Sequence, residues 1–274
     1  MLPNFIVIGP GKTGTTWLYK CLEAHPQVEL ARGTKETFFF NQYYDRGLAW
    51  YENFFAGCNG AAIGEVSNNY FFSEAAAARI AQHIPQVKLI VMLRNPLDRA
   101  ISAYLFRRRH GLSEGNFQDT IKARPKIITN NFFDVFLDIY LKYFRREQIL
   151  VAFHDDIKTD PQALLRQVYD FIGVDSGFRP AMAGEKVFAA REPRNAAISR
   201  VMRSLALWLR ERNLHKVLTW AKLNPIVLAI VNRRVNDGDR PDIPPDLREQ
   251  LRELFRPHIV RVEELTGRDL SHWK

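Results

Sequence analysis

Phe5-Ile6-Val7-Ile8-Gly9-Pro10-Gly11-Lys12-Thr13-Gly14-Thr15-Thr16-Trp17-Leu18 is the stretch on which the reading of the fold turns. The apolar run Phe5 to Ile8, bounded by Gly9-Pro10-Gly11, has the length and punctuation of a buried strand. From Thr15 to Ala24, Trp17, Leu18, Cys21 and Leu22 recur at helical spacing, and His25-Pro26 ends the run. A strand, a glycine-rich loop and then a helix make an anion cradle. Glycines let the backbone approach the ligand, and the helix N-terminus points free N–H groups at it. Lys12 adds a full positive charge, and Thr13, Thr15 and Thr16 add hydroxyls to the glycines at 11 and 14. The nucleotide-kinase pattern, Gly, four residues, then Gly-Lys-Ser/Thr, is met only at its end, because Ile6 stands five before Gly11.

Outward from this stretch, strand and helix signals alternate. Ala61 to Val66 reads as a buried strand, Lys88 to Leu93 as the clearest strand in the chain, and Ile149 to Phe153 as another. Lys35 to Phe40 reads as a short aromatic strand or turn. Helices are expected over Ser73 to His83, from Pro96 to about Arg109, over Asn131 to Phe144, from Pro161 to near Gly173, and over Pro245 to Leu265. Residues 199–232 read as two further helices broken near Asn213 and Asn224-Pro225. This alternation predicts an α/β fold, a single domain over 1–274 with a mostly parallel central sheet flanked by helices.

The 274 residues are 46% hydrophobic and 25% charged, which excludes wholesale disorder, collagen and coiled coil. Two cysteines are too few for a disulfide scaffold. Met1-Leu2-Pro3-Asn4 has neither a basic nor an apolar leader region, and no apolar run approaches the ~18 residues of a membrane span. A cytoplasmic protein is expected. The net charge of +9 is concentrated: residues 191–236 hold ten basic residues against two acids, and the rest of the chain holds 29 against 28. That segment reads as a helical cover or acceptor lid, with peripheral membrane contact as a further reading. A polyanion-binding protein is the alternative it raises, but the segment has no RNP, zinc or homeodomain signature, so no nucleic-acid partner is expected.

A phosphate-transferring P-loop kinase should end a later strand in a magnesium-binding Asp. The strand Leu89 to Leu93 ends instead in Arg94, followed by Asn95-Pro96-Leu97-Asp98-Arg99-Ala100-Ile101-Ser102. Arg94 falls at the carboxyl end of a parallel strand, where such sheets bind ligands. Ser102, a little over two helical turns on, can converge on the same anion as the arginine fork.

Gly-Pro-Gly-Lys-Thr-Gly-Thr-Thr after the first strand, with Arg-Asn-Pro-Leu-Asp-Arg-Ala-Ile-Ser-Ala-Tyr after a later one, resembles the sulfotransferases that use 3′-phosphoadenosine-5′-phosphosulfate (PAPS). The resemblance implies a P-loop-like sulfotransferase fold, PAPS as donor, 3′-phosphoadenosine-5′-phosphate (PAP) as product, and no required metal. It implies Lys12, Thr13, Gly14, Thr15 and Thr16 at the 5′-phosphosulfate, and Arg94 and Ser102 at the 3′-phosphate. Lys35-Glu36-Thr37-Phe38-Phe39-Phe40-Asn41 is similar to the Lys-Glu-x-His-Phe-Phe-Asp stretch of heparan sulfate 3-O-sulfotransferases, with Phe38 and Asn41 at the His and Asp positions. Those carbohydrate enzymes often show Glu-Lys-Ser/Thr before an aromatic; this chain has Glu65-Val66-Ser67. Arg191 and Arg194 fall nearest the family's late loop over the 3′-phosphate.

Sulfuryl transfer to a hydroxyl needs a base and positive charge at the departing phosphate. Glu36 is the expected base and Lys12 the group that neutralises the leaving phosphate. His110, Glu65 and His154 are other carriers of a proton. Lys35 and Phe38 are expected near the acceptor, Ser67 and Asn68 near the acceptor or the nucleotide, and Trp17, Phe153 or Tyr169 on the adenine face.

Overall fold

Burial of all five residues of β1 (Phe5–Gly9) follows from its position at the centre of a sheet covered on both faces. The computed structural model describes residues 1–113, 115–184, 191–193, 205, 232–234 and 241–274. The sheet has the order β2-β3-β1-β4-β5. β2 is Val28–Leu30, β3 Ala62–Val66, β4 Lys88–Leu93 and β5 Ile149–Phe153. Every pairing is parallel, with Val7 opposite Val66 on one side and Ile90 on the other. The mostly parallel sheet expected from the sequence is therefore entirely parallel. β2, with three residues, is too short to show a period and was not expected.

The chain forms two compact units. The first comprises Met1–Asn95, Phe132–Val187 and Pro257–Trp273 and holds the whole sheet. On one face, Phe5, Val7, Ile90 and Met92 pack against α1 (Thr15–Ala24), through Trp17, Leu18, Cys21 and Leu22. A second helix, Pro161–Ile172, adds Leu164, Leu165, Val168, Tyr169 and Ile172 to this core. Each large apolar side chain buried here contributes about 1.5–3 kcal/mol. That helix keeps the boundaries its sequence announces. Asp160 accepts the Ala163 amide at 2.9 Å as N-cap, Pro161 takes the first turn, and Gly173 closes the end at φ 84°. Gly64 faces Phe5 across the strands, and a Cβ there would collide with the Phe5 ring.

Helix α2 (Glu74–His83) begins after Ser73, whose side chain accepts the Ala76 amide at 3.1 Å. The C-terminal residues dock beyond the ends of β4 and β5. Trp273 is buried, its indole N–H reaches Asp155 at 2.6 Å, and its carbonyl accepts from Asn95 at 3.4 Å. Burial opposes ionisation of Asp155, but hydrogen bonds from Trp273 and His272 outweigh it and hold the carboxyl below its usual range.

The second unit comprises Pro96–Asn131 and Phe188–Arg256, with Lys274. Helix α3 (Pro96–Arg109) runs over the residues its sequence predicts. The buried Arg99 donates to the Asn131 side chain at 2.9 Å. Asn131 in turn donates to the carbonyls of Ile127 and Ile128, so it caps the preceding turn and the next helix starts only at Phe133. Arg191–Pro193 pairs antiparallel with Asn232–Arg234. The helices expected over 199–232, and the cover or lid reading of 191–236, fall on segments that lie, apart from these strands and residue 205, outside the described residues.

Candidate active site

The chain leaves β1 toward β3 and β2, and leaves β4 toward β5, so the crevice beyond the carboxyl ends of β1 and β4 is the switch point at which open α/β sheets hold ligands. The loop after β1 is shaped by two glycines at positive φ, where a side chain is strained and would crowd its neighbours. Gly9 (φ 112°) lies so close to Asn68 that a Cβ would strike the Asn68 backbone. Gly14 (φ 98°) lies against Ile157, with His154 and Met92 also near. Lys12 itself is left-handed at φ 76°, a conformation that costs a side-chain-bearing residue about 1–2 kcal/mol and that clusters at ligand clamps. Gly14 caps α1 without a side chain, which leaves the first-turn N–H groups as donors for an anion.

The hydroxyls of the loop divide. Thr13 is fully buried and donates to the Pro10 carbonyl at 2.6 Å. The expectation that its hydroxyl faces the anion is corrected: it ties the loop to itself. Thr15 is buried. Thr16 is exposed and accepts from Lys35 Nζ at 3.1 Å. Lys35 also lies 5.9 Å from the Tyr19 ring centroid. Gly11 and Lys12 are half-buried. Arg94, directly after β4, donates to the Lys12 carbonyl at 3.4 Å and so joins the first cradle.

Glu36, half-buried, accepts from Asn68 Nδ2 at 2.5 Å. The next residue, Thr37, is buried and donates to Glu65 at 2.6 Å. Tyr51 and Ser67 donate to the same carboxyl at 2.8 and 3.0 Å. The Tyr70 hydroxyl lies 3.0 Å from that of Thr37. Burial raises Glu65 above the usual carboxylate range, more than the hydroxyl donors lower it. Glu65 is therefore the anchor of the Glu36 segment and no candidate base at the surface. Ser67 is wholly buried and turned to Glu65, which corrects its expected place near the acceptor or the nucleotide. Phe38 is likewise buried, at φ 55°, and Lys35 to Phe40 is not a strand: residues 35–38 are loop and Phe39 opens a short helix, Phe39–Gln42.

Replacing Glu65 by leucine is expected to lower stability by about 3–5 kcal/mol in urea denaturation, because three hydroxyls lose their acceptor. The raised value also sets a pH slope. The folded state binds this proton more tightly than the unfolded one, so the stability it contributes is full below 4.5 and is lost as pH rises through the raised value. Glu65→Gln should flatten that part of the pH–stability curve.

Trp17 and Tyr169 lie in the core between α1 and the helix Pro161–Ile172, and Tyr169 donates to the Cys21 carbonyl at 3.2 Å. Phe153 is buried against Trp273, with ring centroids 5.8 Å apart. All three are packing residues, which corrects their reading as adenine platforms. His154 closes over Gly14. His110, one residue past the end of α3, bonds to the Phe106 carbonyl of that helix. Ser102 is half-buried on α3 in the second unit. Arg191 lies in the short antiparallel pair, and Arg194 lies outside the described residues. Sequence reasoning did not single out Thr37, Tyr51 or Tyr70, since nothing local marks a hydroxyl whose partner is a carboxylate on a distant strand.

The family described as "Sulfotransferase domain" matches residues 2–187. The chain belongs to this family, whose donor is PAPS and whose product is PAP. Curated relatives include the human bifunctional heparan sulfate N-deacetylase/N-sulfotransferase 3, 34% identical over 195 residues, covering 63% of this chain and 22% of that protein. The mouse N-deacetylase/N-sulfotransferase 1 is 33% identical over 196 residues, covering 64% and 22%. The chain thus spans about a fifth of the length of these relatives. A crystal structure of a sulfotransferase from Alicyclobacillus acidocaldarius superposes with a TM-score of 0.72 at 25% identity, over 100% of this chain and 99% of that one. A mouse sulfotransferase complexed with PAP shares the fold, with a TM-score of 0.55 at 18% identity over 93% and 82% of the chains. Among the described residues no helix is long and apolar enough to cross a membrane, and no group of three or more His, Cys, Asp or Glu is placed to hold a metal.

Proposed function

We propose that the protein transfers the sulfuryl group of PAPS to a hydroxyl of a small-molecule, natural-product or carbohydrate acceptor. Glu36 takes the acceptor proton and Lys12 meets the charge that develops on the departing phosphate. The observation that carries this reading is the bond from Asn68 to Glu36, because Asn68 also closes over Gly9 and so sets an acceptor-only group beside the Lys12 loop. The loop amides, Thr16 and Lys35 are the groups we assign to the sulfuryl oxygens. Arg94, with Ser102 and the late arginines Arg191 and Arg194, is assigned to the 3′-phosphate. The kinase alternative is set aside by family membership and by Arg94 in the place of a magnesium-binding Asp. We also propose a cytoplasmic site of action, supported by two buried, unpaired cysteines.

A second reading, an amine acceptor, is favoured by the N-sulfotransferase names of the curated relatives. De-N-sulfated heparin and its N-acetylated form separate the two when incubated with sulfur-labelled PAPS. Label on both polymers marks hydroxyl transfer; label on the first alone marks the amine. The donor assignment is checked by thermal shift: PAP is expected to raise Tm equally with and without EDTA, and stabilisation by ATP-magnesium alone would sink it.

A further inference from the structure

We propose that Asn68 is the positioning residue of the reaction, the group that holds the Glu36 carboxylate in register with the Lys12 loop. The proposal rests on Glu36 as the base. Glu36 stands on no helix or strand, and a free glutamate side chain samples many rotamers. Asn68 has a short side chain two residues past the end of β3, and its backbone lies hard against Gly9. Its Cβ lies 3.7 Å from where a Cβ on Gly11 would be. One residue thus touches both sides of the reaction: the loop that carries Lys12 and, through Nδ2, the carboxylate at 2.5 Å.

The orientation of the amide is dictated by chemistry. An ionised carboxylate only accepts hydrogen bonds, so the nitrogen of Asn68 must face Glu36. That leaves Asn68 Oδ1 buried with no hydrogen-bond partner among the described residues. Buried polar atoms are almost always satisfied, and an orphan held in this way points to a functional constraint on the side chain. Asn68 occupies Oε1 of Glu36, and no described residue donates to Oε2. Oε2 is the oxygen left to take the proton of the incoming nucleophile while the new bond to sulfur forms. The bond from sulfur to the phosphate oxygen breaks, and its electron pair stays on PAP.

Water serves as the acceptor in a test that needs no knowledge of the natural one: PAPS and water give PAP, sulfate and a proton, followed as release of labelled sulfate. Asn68→Ala is expected to lower kcat by about 10²-fold with KM for PAPS and the Tm gain from PAP unchanged, the loss typical of a displaced catalytic group. Asn68→Asp, the same size without the donor and with a repelling charge, should lose at least as much. In a Glu36→Gln background, Asn68→Ala should cost less than about twofold more, since the two residues act as one unit. Full kcat in Asn68→Ala, or the same loss repeated in the Glu36→Gln background, overturns the proposal for Asn68 and leaves Glu36 as base. Normal turnover in Glu36→Gln alone removes the base, and the role of Asn68 with it.

Discussion

Lys12→Gly is expected to abolish sulfuryl transfer, lowering kcat by about 10³-fold or more, while leaving the fold intact. The two halves of this result have separate causes. Lys12 holds a left-handed backbone at φ 76°, which glycine adopts without penalty, so the variant should melt no lower than the parent and can melt higher. The charge is a different matter. As the bond from sulfur to phosphate breaks, PAP gains negative charge in a crevice lined by backbone amides and partly shielded from water, where one placed ammonium is worth several kcal/mol. Arg94 stands on the neighbouring strand end, donates to the Lys12 carbonyl and is assigned to the 3′-phosphate, so it does not replace the ammonium. A stable Lys12→Gly variant with kcat within tenfold of the parent would show that the loop acts through its amides alone.

Glu36→Gln is expected to lower kcat by about 10²- to 10⁴-fold, the usual worth of a positioned general base. The amide keeps a carbonyl oxygen for Asn68 to donate to, so the local geometry survives and only the proton-accepting charge is lost. PAP should therefore stabilise the variant as it does the parent. Unchanged PAP affinity with near-normal turnover would strike Glu36 from the mechanism.

Much of the fold was legible because its signals are local. β4, β5 and the helices Thr15–Ala24, Pro96–Arg109 and Pro161–Ile172 lie where apolar period, prolines and the closing glycine put them. The helix expected to open at Asn131 starts later because that side chain is used as a cap for the preceding turn, a choice that depends on Arg99, 32 residues away in sequence. The site was legible as residue types and not as roles. Thr13, Ser67 and Phe38 look like contacts for a ligand in the sequence, and each is turned inward by a partner or by the core.

What the sequence determined by itself is the parallel α/β sheet, the glycine cradle with its lysine, and the arginine at the next strand end. Each is written in a few consecutive residues and rests on backbone geometry and strand burial. Only the tertiary structure decided that Glu65 is an anchor, that Trp17, Phe153 and Tyr169 belong to the packing, and that Asn68 holds Glu36. Those roles depend on pairs such as Asn68 with Glu36, 32 residues apart, and Tyr169 with Cys21, 148 apart. Burial and hydrogen-bond partnership across such separations exist only once the sheet has brought its strand ends together.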